Sequence, residues 1–258
     1  MKLHSISFIL SLSALGLLFF VAPSEQATAA QITLSPGHEH VAGAKSVISP
    51  VYSPNVPEHV QFAGKTISLD HSDMWERLDR ELTAMTYTHG NTLLTLKRAN
   101  RYFPIMAPII KQQGLPSDII YLAAIESTLN PRAVSAAKAG GMWQFMPSTA
   151  KEYGLEVNNE VDERFDVEKS TRAACRYLKN AYSRYGNWES VAASYNGGMA
   201  RITNELDAQQ VSSAYDLWLA EETMRYVYRL LAMKMIMENP SEYGFHLSKD
   251  QLYQPLEY

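Results

Sequence analysis

The 258-residue chain has a single cysteine, Cys175, so it can build no internal disulfide and no metal site from thiolates. Cys175 sits in the apolar run Ala173-Ala174-Cys175, inside a helical pattern, and reads as a small buried hydrophobe. The seven histidines are scattered and show no HExxH or comparable spacing. No metal and no other cofactor is therefore expected. A basic excess is missing too: the formal net charge is −4, whereas nucleic-acid binders usually carry a strong positive balance, so no nucleic-acid partner is expected. Strand patterns are nearly absent, and no internal repeat is visible. Past the N-terminal region, no apolar stretch approaches the roughly 20 residues that span a bilayer. What is present is ordinary for a globular protein, with 46% hydrophobic and 19% charged residues, which excludes disorder throughout.

The first residues look like a targeting segment. Lys2 supplies a basic start, an apolar stretch runs from Ile6 to Val21, and Pro23 ends it. Ala27-Thr28-Ala29 fits the small-x-small cleavage rule. We expect a secretory signal at 1–29 and an exported protein of the periplasm or cell envelope. No cysteine follows the signal, so a lipoprotein anchor is not expected. Residues 30–69, with Pro36, Pro50, Pro54 and Pro57, read as a flexible leader. Short extended pieces fall at Val60-Gln61-Phe62 and Thr66-Ile67-Ser68-Leu69, around Gly64.

From there the signal is helical. Met74, Leu78, Leu82 and Met85 recur at helical spacing after a candidate cap at Ser72. A second helix is expected to start after a cap at Asn91, with Pro104 and Pro108 breaking or kinking it. A third runs from about Ser117 to Thr128. Pro147 suits the first position of a short helix ending at Gly154. Asp166 caps a long helix stopped by Gly186, and Trp188 to Tyr195 forms another, ended by Gly197-Gly198. Tyr226, Leu230, Met233 and Met237 mark a last long helix before Pro240. The fold class is mainly α, divided into a helical extension at 70–113, a main domain at 114–245 and a tail at 246–258.

Chemistry concentrates in three segments: Ile125 to Pro131, Gly140 to Pro147, and Ala192 to Gly198. Glu126 ends the apolar run Tyr121-Leu122-Ala123-Ala124-Ile125, in the last turn before Asn130-Pro131. The negative end of the helix dipole and the apolar neighbours both disfavour a carboxylate there, so its pKa should be raised. Such a carboxyl stays protonated near neutral pH and can act as an acid. Asp162, Glu163 and Asp166 have structural readings: local loop salt bridges with Arg164 for the first two, and a helix cap for the third. Met146 and Trp143 can equally be core, Asn196 can merely end a helix, and Ser127 can bond back to its own helix.

In order, spacing and helical context, the three segments resemble the soluble-lytic-transglycosylase domain of transglycosylase family 1. They sit close to its membrane-bound murein transglycosylase D-like branch, without the wall-binding repeats many branch members carry after this domain. The resemblance runs from about Leu115 to Tyr243 and more weakly back to about residue 70. It implies a goose-lysozyme-like helical fold with an N-terminal helical extension, and peptidoglycan glycan strands as partner. It implies that Glu126 alone serves as general acid and then base, cleaving the MurNAc–GlcNAc β-1,4 bond without water and leaving 1,6-anhydroMurNAc ends. Ser135 matches the family serine near the carboxyl and the N-acetyl group, and Gln144 and Met146 match residues lining the groove. Tyr195 matches the tyrosine whose hydroxyl points toward the catalytic acid; Asn196 follows it, and Tyr226 matches a further groove tyrosine. The chain departs from the pattern at Met224-Arg225, where Met takes the usual arginine position and Arg follows one residue later. The competing readings are a hydrolytic, lysozyme-type muramidase, favouring a second carboxylate at Asp162 to Asp166, and a non-catalytic wall-binding scaffold.

Overall fold

Glycine and proline stops divide the chain into helices, and the computed structural model, which describes residues 52–256 apart from Leu219, follows most of that punctuation. Eight α-helices and one two-stranded sheet are present among the described residues. The expected mainly α class is thus observed. The signal at 1–29 and most of the leader lie outside the described residues.

The end of the expected leader is ordered instead. β1 (His59–Phe62) and β2 (Lys65–Ser68) pair antiparallel, with Val60 opposite Ile67 and Phe62 opposite Lys65. The two-residue turn uses positive φ at both Ala63 and Gly64, the geometry that matches strand twist. Val60, Phe62 and Leu69 are buried in the main core, so a leader reaching residue 69 is a correction. Three apolar side chains at alternate and end positions suffice to dock this segment. Asp118 Oδ2 accepts the Ala63 N–H at 2.7 Å and its Oδ1 lies 3.6 Å from Lys234 Nζ, tying the hairpin to the body.

α1 (Ser72–Tyr87) buries Leu78 and Leu82 against the last helix. Its N-cap position is His71, so Ser72 is the first helical residue rather than the cap. α2 (His89–Gln112) starts before the expected cap at Asn91, because the first turn of a helix needs no apolar row. Only Thr88 separates the two helices, and its hydroxyl donates to Ala84 O at 2.6 Å. α2 also runs unbroken through Pro104 and Pro108, so of the expected break or kink the break does not occur. Both prolines are exposed, so the carbonyls they free can turn to solvent.

A short 3₁₀ turn at Ser117–Ile119 leads into α3 (Ile120–Ser127). α4 (Pro147–Glu152) starts on Pro147, as its fixed φ favours. α5 (Val167–Tyr185) is capped by Asp166, which accepts the Lys169 N–H at 2.8 Å, and stops at left-handed Gly186. α6 (Trp188–Gly197) ends on Gly198, φ 84°. α7 (Met199–Gln209) has no counterpart in the sequence reading: only Ile202 and Leu206 are buried, too few to write a periodic row. α8 (Glu221–Glu238) buries Leu230, Leu231, Ala232 and Ile236 fully and packs on α1, α3 and α6. α5 packs on α2 and α6. The segment after residue 245 is bonded to α2, with the Tyr253 N–H on Lys97 O and the Asn100 amide on Tyr253 O.

Candidate active site

Glu126 is the penultimate residue of α3, whose other face is buried through Leu122, Ala123 and Ile125. The helix stops because Thr128 and Leu129 both take left-handed φ, 53° each. Arg98 holds that corner by donating to Thr128 O and Oγ1, both at 3.0 Å. Glu126 is partly buried: a little of its surface opens to a narrow cleft while protein crowds the carboxyl elsewhere. Lost hydration pushes its pKa up to about 7. Two influences oppose that rise, the Tyr226 hydroxyl and the charge of Arg229, while Glu222 adds to it. Tyr226 donates to Glu126 Oε1 at 2.5 Å.

The cleft, about 390 Å³ of space including its mouth, is framed by several elements. Gln144, Phe145 and Met146 form one wall and Thr149 of α4 extends it. Tyr177 of α5, with Tyr195 and Asn196 of α6, completes the lining. Glu126 is the one carboxyl among these lining residues. A wider groove, about 1780 Å³ of space including its mouth, lies between α2 and residues 240–252, is mostly apolar and holds no carboxyl.

The second segment builds its wall with little regular structure. Ser127 links it to α3: its hydroxyl donates to Met142 O at 2.8 Å and back to Ala123 O at 3.2 Å. Gly141 has φ 81°, and a Cβ there would stand 1.7 Å from Arg164 O, so only glycine fits. Arg164 is buried and donates to Lys138 O at 2.8 Å and Phe145 O at 3.0 Å, while pairing with Asp162 at 2.6 Å. The Gln144 amide N–H₂ donates to Gly141 O at 2.8 Å and Ala133 O at 3.2 Å, fixing a residue whose own φ is 49°. Trp143 is fully buried, its indole N–H on Thr171 Oγ1 at 2.9 Å, which settles it as core.

Five of the seven residues singled out from sequence line the cleft: Glu126, Gln144, Met146, Tyr195 and Asn196. The tyrosines differ from expectation. The Tyr195 hydroxyl does not bond Glu126; it donates to Trp143 O at 2.7 Å, and the hydroxyl that reaches the carboxyl is that of Tyr226. Tyr195 is pinned by edge-on rings of Trp143, Phe145 and Tyr177, which direct its hydroxyl into the second segment. Tyr226 is buried, and its pKa stands well above the ordinary phenol value through burial and the neighbouring Glu126. Ser135 is not among the lining residues: its oxygen accepts the Ala139 N–H at 3.0 Å, closing its own turn.

The acids of the 162–166 loop are engaged locally. Arg164 holds the Asp162 carboxyl below the usual range, and Glu163 accepts from Glu156 N–H at 2.8 Å and pairs with Lys169. Asp166 caps α5. Thr149, Tyr177 and Arg229 were not foreseen; Tyr177 lies on the same apolar row as Ala173, Ala174 and Leu178 and carries no separate signal. Arg225, displaced by one position in the sequence pattern, bonds Glu81 of α1. Among the described residues no group of three or more His, Cys, Asp or Glu could hold a metal ion, and no helix is long and apolar enough to cross a membrane.

Residues 104–217 match the family described as Transglycosylase SLT domain. Over 177 residues the chain is 33% identical to the membrane-bound lytic murein transglycosylase D of Escherichia coli K12, covering 67% of this chain and 38% of that protein. The chain thus spans well under half the length of that relative. Among solved structures, an inactive mutant of the lytic transglycosylase Slt from Pseudomonas aeruginosa is similar at 22% identity and TM-score 0.45, over 60% of this chain and 26% of that one. The 70 kDa soluble lytic transglycosylase of Escherichia coli is similar at 19% identity and TM-score 0.46, over 69% of this chain and 33% of that one.

Proposed function

The chain belongs to the transglycosylase SLT domain family, on the membrane-bound murein transglycosylase D-like side, and from that premise we propose that it is a peptidoglycan lytic transglycosylase of the cell envelope with Glu126 as its single acid and base. The observation that carries this reading is the Glu126 carboxyl, crowded by protein, opening on a cleft and titrating near 7. A substantial fraction is then protonated at neutral pH, ready to give its proton to the oxygen leaving between MurNAc and GlcNAc. The resulting carboxylate keeps the Tyr226 hydroxyl and the nearby Arg229 charge, which stabilise it once the proton has left. The substrate's own N-acetyl group stabilises the positive sugar. Glu126 then takes the proton of the MurNAc C6 hydroxyl as that oxygen attacks the anomeric carbon and closes the 1,6-anhydro ring. Tethering of this nucleophile replaces an activated water.

Two features speak for ring closure over hydrolysis. No second carboxyl lines the cleft, and Asp162, Glu163 and Asp166 are each bound into the loop or helix they stabilise. A hydrolase of the two-carboxylate kind needs a second free carboxylate at the bond. The lining suits a sugar: it combines the aromatic residues Phe145, Tyr177 and Tyr195 with the amides of Gln144 and Asn196. Digestion of purified sacculi, with products weighed by mass spectrometry, tests the proposal. Muropeptides one water lighter than muramidase products are expected. Products of full hydrolytic mass would establish the muramidase reading. No release at all, or equal release by Glu126→Gln, would remove Glu126 from the chemistry.

A further inference from the structure

We propose that Glu81, on α1, is a positioning residue for this active site: by gripping Arg225 it fixes the seat of α8 and so keeps the Tyr226 hydroxyl on Glu126. The inference rests on the catalytic reading of Glu126, and it concerns two helices, α1 and α8, that both lie outside the family-matched residues 104–217.

Glu81 is only 2% exposed although it is charged, and both of its oxygens are used. Arg225 Nε donates to Oε1 at 2.6 Å and Nη2 to Oε2 at 3.2 Å, a two-pronged grip that fixes direction as well as distance. Arg225 immediately precedes Tyr226. Neighbouring side chains on a helix diverge by about 100°, so α8 can send Arg225 to α1 and Tyr226 to α3 in the same turn. A slide or rotation of α8 that breaks the first bond also breaks the second. Arg80 adds a looser link, 3.3 Å from Glu81 and 3.0 Å from Glu221 at the start of α8. The Arg80–Glu221 half of that link is exposed and salt-screened, whereas the grip on Arg225 is anchored at a buried carboxylate and is screened less.

Stability alone gives a weak reason for a buried carboxylate here, since a well-packed apolar pair of similar volume commonly serves as well or better. Orientation gives a stronger one. The groups facing Glu126 are Tyr226, Arg229 and Glu222 from α8, Tyr195 from α6, and Tyr177, Gln144 and Asn196 along the cleft. The charges acting on it, Arg229 and Glu222, both ride on α8. Moving α8 therefore changes the proton affinity of Glu126 with no substitution among the cleft-lining residues.

The test is a titration of the Glu126 carboxyl by ¹³C NMR in the full chain, for wild type, Glu81→Leu, Tyr226→Phe and the double variant, beside turnover on sacculi and thermal unfolding. Glu81→Leu should fold, because Arg225 is 37% exposed and can turn to water. Its Glu126 should titrate at higher pH than in wild type, since the Tyr226 bond and the Arg229 attraction both weaken, and turnover should fall about tenfold. Tyr226→Phe should also move the titration upward, and the double variant should move it by less than the sum of the two single shifts. A wild-type titration in Glu81→Leu, or full additivity in the double variant, overturns the proposal and leaves Glu81 a purely structural residue. Should Glu81→Leu not fold, Glu81→Gln, which keeps one acceptor, decides by the same comparison. The titration needs no substrate. Inactive wild-type protein would therefore sink the catalytic reading while the NMR comparison still judges the role of Glu81.

Discussion

The Tyr195 hydroxyl ends on the main-chain carbonyl of Trp143, 2.7 Å away, so a residue of α6 locks the irregular wall that carries Gln144 and Met146. Tyr195→Phe should therefore act first on stability. It leaves a buried carbonyl without the donor it has, at a cost of roughly 1–3 kcal/mol. Urea unfolding reads this directly, and an unchanged midpoint with reduced turnover would return the hydroxyl to the reacting centre.

Glu126→Gln should abolish turnover while changing stability in a pH-dependent way. Folding raises this carboxyl from 4.5 to about 7, so the folded chain holds a proton that the unfolded chain has released across that window. Stability from this group is intact below 4.5 and is lost as pH rises to about 7, by roughly 3 kcal/mol in all. Glutamine carries no such dependence. The variant should match wild type at about pH 4 and exceed it at about pH 8. Equal or lower stability of the variant at the higher pH would mean that Glu126 is ion-paired rather than desolvated.

Turnover itself should fall with rising pH if, as proposed, the first step needs the protonated Glu126. The alkaline limb is expected near 7, where Glu126 loses its proton. Sacculus clearing followed across pH checks this; a limb near the ordinary carboxyl value would show that the cleft does not hold the proton.

Gly141→Ala should be the most damaging single-methyl change in the second segment. The added carbon would overlap Arg164 O, and the left-handed backbone forbids an easy retreat. We expect a loss of ~3 kcal/mol or more, from the class of steric and backbone conflicts that exceed ordinary substitutions. Thermal unfolding of the purified variant measures it.

Local signals carried far in this chain. Pro147 at a helix start, Asp166 as a cap and Gly186 as a stop each act within a few residues, and each stands where the sequence puts it. The Asp162–Arg164 salt bridge was readable for the same reason. Long-range bonds were not. That Arg164 also reaches Lys138 O and Phe145 O, or that Tyr226 rather than Tyr195 meets Glu126, depends on how distant segments pack. Two tyrosines of the same chemistry offer no local sign of which one turns inward. The ordered end of the leader was missed because its anchor, Asp118, lies far along the chain from Ala63.

Cys175, the chain's one thiol, is fully buried on α5, and burial pushes its pKa up to about 11. In the closed molecule it is therefore shielded from thiol reagents and poorly nucleophilic. Two residues further along the same helix, Tyr177 faces the cleft. The rate at which a maleimide labels this sulfur is consequently a clock for the breathing of α5, and a saccharide that wedges the cleft shut should slow that clock without ever touching the sulfur.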